Sequence, residues 1–389
     1  MKVELKKEPK KSAIVSYGTR ITLDGLNVRI VDMVYLRKYL LEELGRSEVD
    51  FVTRKTKADT QYDYVKDTRE VNINDYDEVI IYNSVPNVFG GIFKAEAIDT
   101  FKMLYEYTNG DIWYFFCEEA AYPSDFSRFV AYKRYGQPYV KTTAGNVDIS
   151  DEYCDAWRDK VYANMKVMFI GDDYDAYVKR YNSVPQKGKY AECGIKTIKA
   201  DADWAIVPIF EYYSIAEDID AKLKNYPFER EYDLVYYGNQ RAGRRNKIIA
   251  SLYDHPEMKT MFVGYDPEYK NSTPKVYPYV NHDEMFPLLC QAYATVILCS
   301  DSHNDIIRTP RFFEALNLDL VGFIWHEYNK DHTWIHNEEL RDFVFINSYD
   351  ELKEKIEKIK SDEKFFRHII ELEREEVKYY YDYSVNLYK

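Results

Sequence analysis

The sequence predicts an α/β protein built from two Rossmann-like domains, and three observations lead to this prediction. The chain has 389 residues, of which 46% are hydrophobic, which is enough for two cores. Short β-rich runs alternate with segments of helical periodicity, and this alternation occurs twice along the chain. Strands that alternate with helices form parallel sheets covered by helices on both faces.

The first series of elements begins with "AIVSYG" (Ala13–Gly18), a predicted strand that ends in a glycine. A helix follows at Val31–Gly45, where apolar residues recur at helical spacing up to a glycine stop. The runs "VDFVT", "EVIIYNS", "DIWYFFCEE" and "KVMFIG" predict further strands, with a helix at Lys94–Thr108 between two of them.

The second series begins near Tyr232 with the strand "YDLVYYGN". It continues with a helix from about Gly243, the strand "KTMFVG", a helix at His282–Ala292, the strand "ATVILCS", a helix from about Pro310 and the strand "LVGFIW". We predict an N-terminal domain at 1–210, a C-terminal domain at 211–365 and a final helix at 366–389 that packs back on the N-terminal domain. The boundary falls in the polar, lysine-bearing stretch 185–230.

Composition limits the function. The 53 Lys and Arg against 66 Asp and Glu give a net charge of −13, which disfavours indiscriminate coating of nucleic acid and requires a local basic patch for any polyanion. The five cysteines contain no C-x-x-C pair, so we expect neither a disulfide framework nor a thiolate zinc site, but a reducing cytoplasm. No uncharged apolar run approaches the roughly 18 residues of a membrane span.

Ligands of open α/β sheets bind beyond the carboxyl ends of the strands. There, "YYGNQRAGRRNK" places Gly238 and Gly243 where the backbone can approach a ligand closely, at a helix start that favours an anion. If Arg241 and Arg245 both lie in the helix, they share a face and can clamp a diphosphate. The alternative is a solvated basic helix start, and the Lys-Ser/Thr pair of a P-loop is missing.

A second candidate is "RTPRFFEA", where Pro310 occupies a typical first helical position and Arg311 and Glu314 are three residues apart. The carboxylate can accept hydrogen bonds from both ribose hydroxyls while the arginine holds phosphate. Taken alone, this spacing favours the alternative of an ordinary ion pair on a helix surface.

A third candidate is the strand "IWYFFCEE", which ends at Glu118 and Glu119. A carboxylate in that position can take a proton from an attacking hydroxyl, or it can simply end a strand. Asp32, in the first turn of the first helix, can likewise be a functional carboxylate, or simply an acid that the helix dipole favours there. The stretches "DAD" (Asp201–Asp203) and "HEYNKDH" suggest a metal, but their surroundings do not support one.

The order and spacing of four segments resemble those of the bacteriophage DNA β-glucosyltransferases. These segments are "INDYDEVIIYNSVPNVFGG" (Ile73–Gly91), "IWYFFCEE", "YDLVYYGNQRAGRRNK" and "CQAYATVILCSDSHNDIIRTPRFFEA". The similarity covers most of residues 11–330. It implies a GT-B fold, with two Rossmann-like domains facing each other across a cleft, and transfer of glucose from UDP-glucose to 5-hydroxymethylcytosine in DNA.

The resemblance also implies residue roles. Its UDP site corresponds to Gly238, Asn239, Arg241, Arg245, Val280, Arg311 and Glu314, where the two arginines at 241 and 245 meet the phosphates, Glu314 the ribose and Val280 the uracil. Gly18 and Asp32 correspond to residues near the sugar, and Glu118 to the catalytic aspartate of the family. Asp32 and Glu118 each differ by one methylene from the family's acid, and Glu119 replaces an apolar residue, which leaves the identity of the base open between positions 118 and 119.

The implied reaction is an inverting displacement on a base flipped out of double-stranded DNA. Weak candidates for DNA contacts are Arg128, Lys133, Arg134, Lys187 and Lys189. We expect a UDP-sugar donor, no obligatory cofactor, an accessory Mg²⁺ or Mn²⁺ at most, no membrane, and a monomer in the cytoplasm of the infected host. The sugar and the base, 5-hydroxymethylcytosine or 5-hydroxymethyluracil, stay open, as do a small-molecule, glycan or protein acceptor and a non-catalytic nucleotide-sugar binder.

Overall fold

A computed structural model describes residues 1–16, 36–53, 62–82, 103–116, 140–142, 145–147, 164–169, 173–183, 201–207, 226–238, 243–277, 280, 282–299, 304–305 and 308–386. Contacts divide the chain into two compact units. Met1–Gly25, Arg29–Val207 and Leu387–Lys389 form the first unit, and Leu26–Val28 with Pro208–Asn386 form the second. The main division at Val207 lies three residues before the predicted boundary at 210.

The first unit contains strands β1 to β9 and helix α1. The strands are Lys11–Ser16, Glu48–Thr53, Val65–Asp67, Glu78–Tyr82, Asp111–Phe116, Val140–Thr142, Gly145–Val147, Lys166–Phe169 and Trp204–Ile206, and α1 is Tyr174–Ser183. Residues 36–42 and 103–106 are also helical. Seven strands form a parallel sheet in the order β3-β2-β1-β4-β5-β8-β9, while β6 and β7 pair separately and antiparallel.

The second unit contains strands β10 to β15 and helices α2 to α7. The strands are Tyr232–Tyr237, Thr260–Val263, Lys275–Tyr277, Ala292–Ile297, Val321–Trp325 and Phe345–Ile346. The helices are Arg244–Tyr253, His282–Leu289, Pro310–Asn317, Glu338–Val344, Tyr349–Ser361 and Glu363–Asn386. The strands form a parallel sheet in the order β12-β11-β10-β13-β14-β15.

Both sheets are doubly wound. The first strand of each unit lies inside its sheet, the next two strands extend to one side, and the following strands extend to the other. The strand order therefore reverses beside β1 in the first sheet and beside β10 in the second, and such switch points are where ligands bind in open α/β sheets. The predicted α/β class with two Rossmann-like domains is confirmed.

The central strands of the second sheet are buried at every position, which explains why they read as continuous apolar runs. All six residues of β10 and all six of β13 are buried. The core on one face of the sheet includes Tyr237, Val263, Phe286 and Leu289, and Val280 packs against it from the edge.

Helix α7 belongs to the second unit, whereas Leu387–Lys389 of the same final segment belong to the first. The predicted packing of this segment on the N-terminal domain stays a prediction. The helix contacts α4, α5, α6 and β14. Its buried residues include Phe366, Ile369, Ile370 and Val377, which form one apolar stripe against the second unit. The periodicity of this segment predicts the helix but not the partner, because an apolar stripe does not encode which surface covers it.

The N-terminal ends of the second unit's strands are tied together by ion pairs. Asp319, just before β14, contacts three guanidinium groups: Nη2 of Arg230 at 2.7 Å, Nη1 of Arg367 at 3.1 Å and Nη2 of Arg374 at 3.8 Å. The side chain of Arg230 has no exposed surface, and it also donates to the carbonyl of Cys290 just before β13. A charge this deeply buried requires such pairing.

Within the described ranges, no helix combines the length and apolar character needed to cross a lipid bilayer. The two cysteines there, Cys290 and Cys299, are free thiols.

Candidate functional site

Two glycines end neighbouring central strands of the second sheet. Gly238 follows β10 and Gly264 follows β11, with φ angles of +122° and +82°. The Gly238 amide donates to the Val263 carbonyl at 3.0 Å, so the pairing of the strands extends to this point. Because L side chains rarely adopt these φ angles, glycine is needed where the backbone turns out of the sheet beside the switch point.

Helix α2 begins at Arg244 after Gly243, whose φ is +81°. No side chain caps this helix, so its first N–H groups are available to an anion. Arg245 lies half-buried in the first turn. Arg241 lies outside the described residues, so the prediction that it shares a helical face with Arg245 stays a prediction. Arg244 instead forms an ion pair with Glu327.

The start of helix α4 is held by aromatic side chains. Thr309 is the N-cap and Pro310 occupies the first turn, as the sequence predicts. The Tyr328 hydroxyl accepts a hydrogen bond from the Thr309 amide at 2.8 Å and donates to its Oγ1 at 3.1 Å. Buried Arg308 lies over the rings of Tyr380, at 4.1 Å, and Trp334, at 5.4 Å. These contacts fix the turn that carries the two predicted ligand-binding residues of α4.

The guanidinium of Arg311 lies across the end of β10. Its Cζ is 4.7 Å from the ring centroid of Tyr237 and 5.6 Å from that of Tyr236. A Cβ on Gly238 would lie 2.2 Å from Nη2 of Arg311, so the glycine also makes room for the arginine. Burial lowers the pKa of Arg311, but the two tyrosines and Glu314 outweigh it and raise the pKa above its ordinary value.

Glu314 is only 8% exposed, one turn after Arg311. Burial raises the pKa of Glu314, while Arg311 and the Tyr237 hydroxyl oppose that rise. Among the residues that the structure covers, Arg311 forms no ion pair with Glu314 within 4.0 Å. The alternative of an ordinary ion pair on a helix surface is therefore wrong, because Glu314 is buried and unpaired with Arg311.

Tyr237 connects these groups, and the sequence did not single it out. Its side chain is 3% exposed, and its hydroxyl lacks a hydrogen bond of normal geometry in the described structure. Burial and then the nearby Glu314 carboxylate raise the pKa of Tyr237 well above its ordinary value. Val280 packs against the core cluster that contains Tyr237. The available signal was its position, as the last residue of a buried strand directly before a glycine.

This edge of the sheet can bind a ligand that carries both phosphate and hydroxyl groups. Arg311 and the uncapped start of α2 offer positive charge and N–H donors, whereas Glu314 offers a carboxylate with little solvent around it. The described portions of the chain contain no group of three or more His, Cys, Asp or Glu residues placed to hold a metal ion.

Comparisons with known proteins identify similar chains. No protein-family model matches the chain. DNA β-glucosyltransferase of Enterobacteria phage T4 is 23% identical over 363 residues, which cover 90% of this chain and 89% of that protein. The structure of the T4 phage enzyme with UDP and Mn²⁺ matches with a TM-score of 0.70 at 20% identity, covering 97% of both chains. Its complex with UDP-glucose matches with a TM-score of 0.67 at 18% identity, covering 97% of this chain and 96% of that one.

The chain resembles phage DNA β-glucosyltransferase. Its two parallel sheets with flanking helices have the GT-B fold of these structures.

Five of the predicted UDP-site residues of this resemblance lie in the described part of the second unit. Gly238, Arg245, Val280, Arg311 and Glu314 all follow the carboxyl ends of its strands. The other predicted site residues lie outside the described residues; they are Gly18, Asp32, Glu118, Glu119, Arg128, Lys133, Arg134, Lys187, Lys189, Asn239 and Arg241.

Proposed function

We propose that the protein is an inverting glycosyltransferase that moves glucose or a related sugar from a UDP-sugar to the hydroxymethyl group of a modified base in DNA. The observation that carries this proposal is the arrangement of Arg311, Glu314 and Gly238 around Tyr237 at the switch point of the second sheet. The resemblance to an enzyme named DNA β-glucosyltransferase over 90% of the chain supports the acceptor.

The second unit binds the donor in this proposal. Glu314 accepts hydrogen bonds from the ribose hydroxyls, and the uracil lies near Val280. Arg311, Arg241, Arg245 and the N-terminus of α2 hold the diphosphate, and each charge-assisted hydrogen bond contributes about 1.5–3 kcal/mol. The same cations stabilise the charge that develops on the leaving UDP.

The first unit supplies the base. Glu118 takes the proton of the acceptor hydroxymethyl group as its oxygen attacks the anomeric carbon of the sugar. The bond from that carbon to the diphosphate oxygen breaks with inversion, and UDP leaves with the electron pair. Gly18 and Asp32 lie near the sugar, and Arg128, Lys133 and Arg134 contact the DNA backbone around a flipped base.

Transfer of radiolabel tests the proposal. The purified protein is incubated with UDP-[¹⁴C]glucose and DNA containing 5-hydroxymethylcytosine or 5-hydroxymethyluracil, with unmodified DNA as control. We expect acid-precipitable label only with a hydroxymethylated DNA, and nucleoside mass spectrometry then identifies base and sugar. Transfer only to a small molecule, glycan or protein would favour the alternative acceptors that the net charge of −13 leaves open. If no sugar is transferred from any UDP-sugar, the alternative of a non-catalytic nucleotide-sugar binder would be favoured.

The neighbouring acids provide a matched pair of variants. Glu118→Gln keeps the size of the side chain and removes its basicity, so we expect turnover to fall by about 10² to 10⁴ while UDP-glucose still binds. Glu119→Gln should retain most activity. The reverse result would place the base at Glu119, and full activity in both variants would contradict the mechanism.

A further inference from the structure

The hydroxyl of Tyr237 occupies an unusual position in the second unit. It is buried at the end of β10, it has no hydrogen bond of normal geometry among the described residues, and it lies beside the Glu314 carboxylate. A buried hydroxyl without a partner lowers the free energy of unfolding by about 1–3 kcal/mol. Stability alone would favour phenylalanine here, so the hydroxyl requires another explanation.

Few groups act on Glu314. Arg311, on its own helix, and Tyr237, on β10, are the charged or titratable side chains that face it in the described structure. β13, β14 and α7 also pack on α4, and their described residues bring no charged or titratable side chain to Glu314. Burial favours the protonated carboxyl, whereas a ribose hydroxyl needs the ionised carboxylate as its acceptor.

We propose that Tyr237 is a positioning residue for Glu314: its hydroxyl donates to one carboxylate oxygen when the nucleotide binds, keeps the carboxylate ionised, and directs the other oxygen to the ribose. This inference rests on the proposed function, because it assigns the ribose to Glu314. Arg311, stacked on the same ring, keeps Tyr237 in place and adds positive charge without occupying the carboxylate.

The consequence is a pH dependence of donor binding. The ionised form of Glu314 is lost as the pH falls through its pKa, so affinity for a UDP-sugar decreases toward acidic pH. Removing the Tyr237 hydroxyl takes away a polar group whose interaction with Glu314 lowers this pKa. The decrease in affinity then begins at a higher pH than in the unmodified protein.

Calorimetric titration with UDP-glucose between pH 5.5 and 8.5 tests the inference. UDP-glucose is used because it lacks the terminal phosphate of UDP, whose second ionisation near pH 6 would interfere. For Tyr237→Phe we expect weaker binding by a few-fold at pH 8.5, and a larger loss toward the lower end of the range. We also expect an unchanged or higher Tm, because the unpartnered hydroxyl is gone.

Two control variants separate this role from a structural one. Glu314→Gln should remove this pH dependence and bind weakly throughout. Tyr269→Phe removes another unpartnered tyrosine hydroxyl of the same unit and should leave UDP-glucose affinity unchanged at every pH. A pH-independent ratio between the unmodified protein and Tyr237→Phe, or a lowered Tm in that variant, would overturn the inference. Failure of the unmodified protein to bind UDP-glucose would instead overturn the proposed function.

Discussion

Polar side chains at the N-terminal and C-terminal ends of the second sheet's strands differ in how they are paired. At the N-terminal ends of the strands, both carboxylate oxygens of Asp319 are paired, with Arg230, Arg367 and Arg374. At the C-terminal end of β10, Arg311 has no ion pair in the described structure, and the buried Tyr237 hydroxyl has no hydrogen bond of normal geometry there. We infer that the Asp319 cluster contributes to stability, and that Arg311 and the Tyr237 hydroxyl are polar groups that a ligand can pair with.

The same contrast applies to the backbone, because conformations that are unfavourable for most residues occur at the C-terminal end of the second sheet. Gly238, Gly243 and Gly264 all have positive φ and all lie at the C-terminal end of the sheet. Groups that are unsatisfied or conformationally demanding lower the free energy of unfolding, and they are retained where binding compensates for them. The following predictions test this division, beginning with the largest effect.

Replacing Asp319 with asparagine should destabilise the protein by about 3–5 kcal/mol, because it leaves the fully buried Arg230 without its counter-charge. Urea unfolding measures the loss. Asp233→Asn is the matched control, since its partner Lys360 is 30% exposed and can be solvated, and it should cost about 1 kcal/mol or less. Equal losses in both variants would contradict the special role of the Asp319 cluster.

Removing Arg311, the cation at the C-terminal end of β10, should mainly weaken the binding of UDP-glucose. We expect Arg311→Ala to weaken UDP-glucose binding by about 1.5–3 kcal/mol in calorimetry. The unfolding free energy should fall less, by about 1 kcal/mol, because contacts with two tyrosine rings are lost but no ion pair is broken. Lys353→Ala removes an exposed cation of the same unit that pairs with Glu257, and should not change the affinity. An affinity that Arg311→Ala leaves intact would remove Arg311 from the donor site.

Adding a methyl group at Gly238 should lower both the stability of the protein and its affinity for UDP-glucose. Its Cβ would overlap Nη2 of Arg311 and would require an unfavourable φ, so we expect Gly238→Ala to cost about 1–2 kcal/mol in stability and to weaken UDP-glucose binding. Gly243→Ala has a positive φ but nothing within 4 Å of the added Cβ. It should therefore show the conformational cost alone, and similar binding defects in the two variants would argue against the Arg311 contact.

The smallest effect concerns the pH dependence of stability. Burial raises the pKa of Glu314 in the folded state above its unfolded value, so its contribution to stability is lost as the pH rises from the unfolded to the folded pKa. Glu314→Gln should thus gain on the order of 1 kcal/mol relative to the unmodified protein at pH 8, and less at pH 4. Urea unfolding at both pH values measures the gain.

Glu373 provides the control for that experiment. Burial raises its pKa well above the ordinary value, although the Gly322 amide and Arg374 oppose the rise, and it lies away from the site on α7. Glu373→Gln should show the same direction of stabilisation without any loss of UDP-glucose affinity. A stability of Glu314→Gln that does not depend on pH would contradict the buried, ionisable carboxyl at this position.

Much of the fold follows from the sequence, because buried parallel strands and amphipathic helices leave strong patterns. β10 and β13 read as apolar runs, and α4 begins at a proline in the expected position. The packing of α7 on the second unit could not be predicted, since its apolar stripe fits any apolar surface. The helix starting at about Gly243 was predicted, and the structure begins it at Arg244.

The site was predicted less completely than the fold. Spacing and resemblance identified Arg311 and Glu314, yet the same spacing favoured an exposed ion pair, because sequence distance does not reveal burial. Tyr237 escaped notice because its apolar ring suits a buried strand, and its hydroxyl acquires meaning only beside Glu314. Interactions between elements distant in sequence decide such roles.

Hydrogen exchange with and without saturating UDP-glucose tests the division between the two ends most directly. The account predicts slower exchange at the amides of Arg244–Lys247 and Arg311–Glu314, at the starts of α2 and α4. It predicts no change at Arg230–Asp233 or Leu318–Val321, around the Asp319 cluster. Protection of that cluster, or no protection at the starts of α2 and α4 under saturation, would contradict it.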